Sequence, residues 1–192
     1  APEVLPERAV NSEVGLRFAR NGVRAEVIGF WSEYENITGE CTGSTGCTSD
    51  AINQQFNGGR ARVLGVEALA SARKRLPLDF AVHADLAYTF THGTFTTTFR
   101  SDNPIWGAVT PGDFLPYVPM HQGQLRLRGS WRNYELGVGA MYYGDVREVA
   151  GRGDIADEQL VPGRVLMDLT ASADFGPARA YLLGAAHRER SL

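Results

Sequence analysis

The sequence predicts an all-β fold, an antiparallel up-and-down transmembrane β-barrel, and three observations support this prediction. Apolar and polar residues alternate along segments of about ten residues, the length of a barrel strand. Short turns alternate with long loops, which places all the short turns at one end of the sheet. No run of about 18 apolar residues occurs, which excludes a membrane-spanning helix but not a barrel. We therefore expect residues 1–192 to be part of one β-barrel domain.

The composition supports the strand prediction and argues against one class of partner. The 19 basic and 22 acidic residues give a formal charge of -3, and the basic residues are scattered, so we expect no nucleic acid partner. The 22 glycines and 10% aromatic residues suit closely spaced strands better than a helical bundle.

The first two strands are predicted to form a hairpin. Residues 12–20 place Val14, Leu16 and Phe18 on one face. Asn21-Gly22, the strongest short signal for a two-residue hairpin turn, follows them. A second alternating run then begins at residue 23.

The next pair of strands is predicted from residues 60–70 and 78–91, with a turn near residue 74. In the first run we expect Leu64, Val66 and Ala68 to face away from Arg62 and Glu67. In the second run seven apolar residues share one face, which makes it the clearest alternation in the chain. They are Leu78, Phe80, Val82, Ala84, Leu86, Tyr88 and Phe90, opposite Asp79, His83, Asp85, Thr89 and Thr91.

Four further strands bring the total to about eight. In the first, Leu125, Leu127 and Trp131 alternate with a polar face that contains Arg126 and Arg128. A turn at 132–133 leads into a strand at 134–142, another strand covers 165–173, and a Gly-Pro turn at 176–177 precedes a last strand at 178–186. Long loops are expected at 38–58, 96–120 and 148–163.

The aromatic residues help to choose between a soluble β-sandwich and a membrane barrel, because alternation alone is compatible with both. Several lie near predicted strand ends, where an interfacial girdle places amphipathic rings. They are Trp31, Tyr88, Phe90, Trp131, Tyr134 and Tyr142. The predicted strands are also longer than those of ordinary globular sheets, which again favours the barrel.

Three ordered segments resemble the barrel of TonB-dependent receptors. Residues 6–17, PERAVNSEVGLR, are similar to the family segment PEKSxNYExGxR. Residues 29–37, GFWSEYENI, resemble the strand xFYxDYxNx, and residues 57–67, NGGRARVLGVE, resemble the strand NxGxAxxxGxE. Two further segments are similar to receptors of the ferric dicitrate type, PGDFLPYVPMHQ at 111–122 and the loop CTGSTGC at 41–47 ahead of QFNGG.

The resemblance implies TonB-dependent transport of an iron chelate, ferric citrate or a similar siderophore, in the bacterial outer membrane. Family members have an N-terminal plug domain, through which TonB acts, and a barrel of about 22 strands. This chain would supply the C-terminal part of the barrel without the plug domain or the closing strand, and residues 186–192 depart from the family pattern. The implied partners are membrane lipid, lipopolysaccharide and, through the plug, TonB; no intrinsic cofactor is implied.

Two other functions remain open at this stage. The chain can be a structural or assembly subunit of an envelope complex that transports nothing. It can also be a small, self-contained outer-membrane barrel of about eight strands. A plug-encoding segment upstream would favour the receptor over both.

The cysteines and one His-Asp pair are candidates for covalent or catalytic chemistry. Cys41 and Cys47 are predicted to form a disulfide in an oxidising compartment, with a metal pair or a redox pair as alternatives. His83 and Asp85 share a strand face, and we favour hydrogen-bond partners in the lumen wall over half of a catalytic relay. No nucleophile with a supporting motif is visible, so we expect no enzyme activity. No nearby His or Cys completes a tetrahedral set with the two cysteines, so we expect no metal site.

Ligand-binding candidates fall on the predicted lumen wall and on the long loops. Arg62, Arg126 and Arg128 are expected in the lumen, where guanidinium groups contact an anionic chelate or pair with acidic residues of the wall. Loop residues are stronger candidates, because binding sites concentrate on loops held by a rigid scaffold. These are Asp102, Trp106, Asp113, Tyr117, Arg147 and Arg152.

Overall fold

A computed structural model describes residues 5–43 and 47–189. Twelve strands lie in these ranges, with 3-10 helices at Ser49–Ala51 and Asp157–Gln159. The strands are β1 (Arg8–Arg20), β2 (Val23–Glu40), β3 (Gln55–Leu76), β4 (Phe80–Phe95), β5 (Phe99–Arg100), β6 (Ala108–Val109), β7 (His121–Trp131), β8 (Tyr134–Tyr143), β9 (Val146–Arg147), β10 (Leu160–Val161), β11 (Arg164–Asp174) and β12 (Arg179–Glu189). No helix in the described ranges is long and apolar enough to cross a membrane.

Eight strands form one antiparallel sheet in the order β1-β2-β3-β4-β7-β8-β11-β12. Each long strand pairs with the next long strand along the chain, which confirms the predicted up-and-down topology. The short pairs β5–β6 and β9–β10 lie within the long loops. Among the described residues β1 and β12 do not pair, so the sheet is open and does not show the closed eight-stranded barrel that the sequence also allowed.

Tight turns connect the strands at one end of this sheet. Asn21 and Gly22 have φ angles of 50° and 80°, the left-handed conformation of a type I′ hairpin turn. The turn predicted near residue 74 is wrong, because β3 continues through its charged end and Leu76 still pairs with Phe80. Leu78 and Asp79 therefore form the turn, with φ angles of 64° and 59°, rather than the start of a strand.

The register gives the sheet one apolar and one polar face, because directly paired residues point to the same side. One row on the apolar face consists of Leu16, Val27, Ala68, Tyr88, Gly123 and Tyr142. The adjacent row on the polar face consists of Arg17, Glu26, Leu69, Ala87 and Gln124. Large side chains of the apolar face remain exposed, Leu86 by 48% and Leu136 by 54%, so this face does not pack on another layer of the described chain.

Arg62 lies on the apolar face, which corrects its predicted position in the lumen. It is two residues from Leu64 and therefore has the same orientation in the strand, opposite to that of Glu67. Its guanidinium lies 4.8 Å from the ring centroid of Trp31, an exposed residue of the same face. Arg62 also pairs with Glu33 at 2.6 Å.

The small hydrophobic core sits at the long-loop end of the sheet. Ala61, Phe95, Trp106 and Val109 are buried there, where loop residues fold over the ends of β3 and β4. The first long loop is shorter than predicted, 41–54 rather than 38–58, because β2 reaches Glu40 and β3 begins at Gln55. The second has the predicted bounds of 96–120, and the third begins earlier than predicted, at residue 144.

Candidate functional site

Two long loops form one body at the end of the sheet opposite the tight turns. The Phe114 N–H donates to Gly151 O at 2.7 Å, and the Tyr117 N–H donates to Arg147 O at 2.9 Å. Phe114 also bridges Thr94 at the end of β4. We call residues 96–120 and 144–163 the loop platform. Backbone bonds therefore fix the platform both internally and to the sheet.

Trp106 holds the platform on the sheet. It is 7% exposed, and its ring packs edge-on against Phe95 and Phe99 at centroid distances of 6.2 and 5.8 Å. A Cβ at Gly39 or Gly58 would lie 2.7 or 2.6 Å from this ring, so only glycine leaves room for it there. The structure thus gives Trp106 a packing role.

Asp113 and Arg152 join the two loops through side chains. The Thr110 N–H donates to Asp113 Oδ2 at 2.7 Å, and Arg152 Nε donates to Asp113 Oδ1 at 3.0 Å. Burial alone would raise the pKa of Asp113, but the hydrogen bonds from the Thr110 backbone, Arg152 and the Thr110 hydroxyl outweigh it and hold the pKa below its usual value. Arg152 also donates to Pro111 O at 2.7 Å, while its side chain stays 57% exposed.

The other platform candidates differ in exposure. Arg147 is buried; it donates to Gly153 O at 2.9 Å and lies 5.5 Å from the ring centroid of Phe114. Tyr117 is 53% exposed and has a φ of 58°, an uncommon conformation for a non-glycine residue. Asp102 is also exposed. Tyr117, Asp102 and Arg152 are therefore the candidates that solvent reaches.

The polar face carries a cluster of His83, Asp85 and Arg128. Arg128 Nη2 lies 2.7 Å from His83 Nδ1, and His83 Nε2 lies 3.2 Å from Asp85 Oδ1. Since the guanidinium can only donate, this arrangement requires the His83 proton on Nε2. These contacts agree with the prediction that His83 and Asp85 are hydrogen-bond partners on the polar face of the sheet.

Arg126 lies directly opposite Asp85 of this cluster in the register of the two strands. It is exposed and lines a cavity of about 520 Å³ on the polar face, together with Arg24, Ser71 and Gln124.

At the other end of the sheet, Cys41 and Cys47 form the predicted disulfide, with Cα atoms 5.8 Å apart. The described residues contain no group of side chains suited to hold a metal ion.

Sequence reasoning missed several residues that organise the platform. Asn103 is 3% exposed, and its side chain accepts from the Ile105 N–H at 3.1 Å, which starts the turn that carries Trp106. The Asn-Pro dipeptide at 103–104 is a turn signal that could have indicated this role. Thr110 precedes the Pro-Gly dipeptide at 111–112, which is a comparable turn signal. Phe114 had no such signal, because its partners Thr94 and Gly151 are distant in sequence.

The fold and the site together define a class of protein. An up-and-down antiparallel sheet with an exposed apolar face, long strands and all its long loops at one end is the wall of a β-barrel. The particular family follows from comparison. The chain belongs to the TonB dependent receptor-like, β-barrel family, whose model matches residues 2–185.

Two solved structures are similar in fold. The FrpB iron transporter from Neisseria meningitidis (F3-3 variant) is 17% identical with a TM-score of 0.60, and the match covers 91% of this chain and 25% of that one. The ferric enterobactin receptor PfeA in complex with BCV-L6 is 18% identical with a TM-score of 0.53, covering 88% and 24%. The chain thus spans about a quarter of each of these two structures. No curated protein matches the sequence.

Proposed function

We propose that this chain is part of an outer-membrane receptor that imports an iron chelate, ferric citrate or a similar siderophore, by a TonB-dependent mechanism. Membership of the receptor barrel family carries the proposal. The two structures of similar fold are an iron transporter and a ferric enterobactin receptor, which supports iron as the cargo. In this proposal TonB acts through a plug domain of the complete receptor.

In this function each face of the sheet has a separate task. The apolar face contacts the lipid of the bacterial outer membrane, and the polar face lines the lumen. The loop platform lies at the extracellular mouth. Opening of the path depends on the plug, so the described residues provide the wall, the mouth and ligand contacts.

Exposure divides the candidate residues into two groups. Tyr117, Asp102 and Arg152 contact the chelate at the mouth. Arg126 and Arg128 contact it along the wall. The arginines are suited to this role because guanidinium groups bind carboxylates strongly. The uncommon backbone conformation of exposed Tyr117 is typical of ligand-contact positions. The buried members, Trp106, Asp113 and Arg147, hold the platform in shape.

Uptake of radioactive iron tests the proposed function. A deletion strain and the complemented strain receive ferric citrate, a ferric hydroxamate or a ferric catecholate, each with and without a protonophore. We expect the complemented strain alone to take up one of these chelates, and only without the protonophore. Equal uptake of all three by both strains contradicts the proposal.

Binding measurements test the assignment of Tyr117. Tyr117→Ala is expected to raise the Kd for the transported chelate about tenfold, as for loss of an aromatic anchor. Glu158→Ala is the control, because Glu158 is exposed on the other platform loop. An unchanged Kd in Tyr117→Ala would remove Tyr117 from the binding site.

A further inference from the structure

The apolar face ends, on the long-loop side, in a band of five charged residues. In the register Glu35 lies between Arg8 and Arg60, and Glu33 pairs with Arg62. The ion pairs measure 3.0 Å for Arg60 with Glu35 and 2.6 Å for Arg62 with Glu33. We call these residues the charged band. It carries three positive and two negative charges on the side of the sheet that is otherwise apolar.

The spacing of charges places this band at a membrane surface. On β1 the apolar face runs from Arg8 to Arg20, and on β3 it runs from Arg62 to Lys74, 12 positions in each case. At about 3.3 Å per residue, each stretch is roughly 40 Å long. A strand tilt of about 40° reduces this to roughly 30 Å along the membrane normal, the thickness of the hydrocarbon core. The basic residues therefore lie where lipid headgroups begin.

Trp31 marks the same boundary. It is the aromatic residue next to the band on β2, its Nε1 donates to Glu33 at 2.9 Å, and Arg62 lies over its ring. Amphipathic indole rings prefer the interface between hydrocarbon and headgroups. The ring and the glutamate hold the Arg62 guanidinium at the level of the headgroups.

The arginines of the band have donors left for a further anion. Each guanidinium offers five N–H groups, and the ion pairs of Arg60 and Arg62 use one nitrogen each. Both side chains are partly exposed, by 62% and 41%. A phosphate group is the anion of a membrane surface, and guanidinium binds it in a two-pronged arrangement.

We propose that the charged band binds the phosphate groups of a phosphorylated glycolipid in the outer leaflet, with Arg60 and Arg62 as the principal contacts. The inference rests on the proposed function, because that function places the long loops outside the cell. The glutamates orient the two arginines and limit the affinity, since they compete with the phosphate for the same donors.

Titration of the detergent-purified protein with bisphosphorylated lipid A, followed by native mass spectrometry, tests this proposal. We expect the wild type to bind this lipid at least about tenfold more tightly than dephosphorylated lipid A. Arg60→Gln with Arg62→Gln should remove this preference. Arg126→Gln, an arginine variant of the polar face, should keep it. Equal binding of both lipids by the wild type, or an unchanged preference in the double variant, overturns the proposal.

A variant with the opposite expected effect separates binding from misfolding. Glu33→Gln with Glu35→Gln frees both arginines and should tighten the binding of bisphosphorylated lipid A severalfold. Loss of binding in this variant would point to a cation held by the glutamates and would overturn the proposal. Iron uptake by the same strains distinguishes the two inferences. If the lipid preference is absent and uptake is normal, only the lipid site is refuted. If the lipid preference is present and uptake is absent, only the transport function is refuted.

Discussion

We expect Asp113 to make the stability of the loop platform depend on pH. Because its pKa is lowered in the folded protein, its contribution to stability is complete above the usual value of 3.8 and is lost as the pH falls through the lower folded value. Hydrogen exchange of residues 108–117, corrected for intrinsic rates, should therefore show the platform opening at acidic pH. Asp113→Asn should weaken the platform at neutral pH by about 1–3 kcal/mol and flatten this dependence.

The control for this prediction is Asp102→Asn, a substitution of an exposed carboxylate on the same loop. It should leave the exchange profile and its pH dependence unchanged. If Asp102→Asn and Asp113→Asn had equal effects, general charge on the loop rather than the Thr110 and Arg152 contacts would explain the behaviour.

Gly58 tests whether Trp106 anchors the platform. A Cβ at this position would lie 2.6 Å from the indole ring, so Gly58→Ala must displace the ring from Phe95 and Phe99. Displacement of this kind costs about 1–3 kcal/mol. Tryptophan fluorescence during urea unfolding of the loop region should show the loss. Gly184→Ala on β12, where a Cβ meets no atom within 4 Å, should show no comparable change.

Single residues also show where sequence reasoning succeeds and fails. The alternation placed Leu16, Val27 and Leu86 on the correct face, because a period of two leaves no freedom once a strand is assigned. The prediction for Arg62 is wrong because its charge suggests the lumen, whereas its position two residues from Leu64 fixes its side chain on the apolar face. At the end of a barrel strand a charged residue can lie on the apolar face, since the hydrocarbon has ended there.

At the level of elements, turns were predictable and loop structure was not. The turn at Asn21-Gly22 follows from two residues that tolerate left-handed φ angles. The loop platform instead depends on contacts between residues far apart in sequence, such as Asp113 with Arg152 and Phe114 with Gly151. Several residues of the loop platform could be predicted from the sequence as candidates, but the contacts between them could not.

The disulfide stabilises one loop element. Cys41 is fully buried, and the backbone on either side of the loop pairs through the Cys41 N–H with Gln54 O at 3.0 Å. Cys41→Ser with Cys47→Ser should destabilise residues 41–54 by about 2 kcal/mol, the loop-closure value for a short ring. Faster hydrogen exchange confined to this loop is the expected result, and reductant should reproduce it in the wild type. Faster exchange throughout β2 and β3 would instead indicate a global role.

At the scale of the whole molecule, the sequence predicted the architecture because alternation, turn chemistry and loop lengths all indicate one topology. The structure contains the expected sheet of eight antiparallel strands. The family is established by the match over residues 2–185. In the proposed function, ligand specificity depends on individual exposed side chains of the loop platform, and the alternation of strand residues does not encode these side chains.

The assignment of the apolar face to lipid is the prediction on which the whole-molecule description depends. Leu86 and Ala87 are adjacent on β4 but point to opposite faces, so arginine at each position samples a different environment at the same depth. Leu86→Arg places a charge in hydrocarbon and should destabilise the folded barrel by about 2–4 kcal/mol. Ala87→Arg places it in a wet lumen and should cost far less. Unfolding of both variants by urea in lipid vesicles measures the difference, and equal destabilisation, or the reverse order, would mean that the apolar face does not contact the membrane.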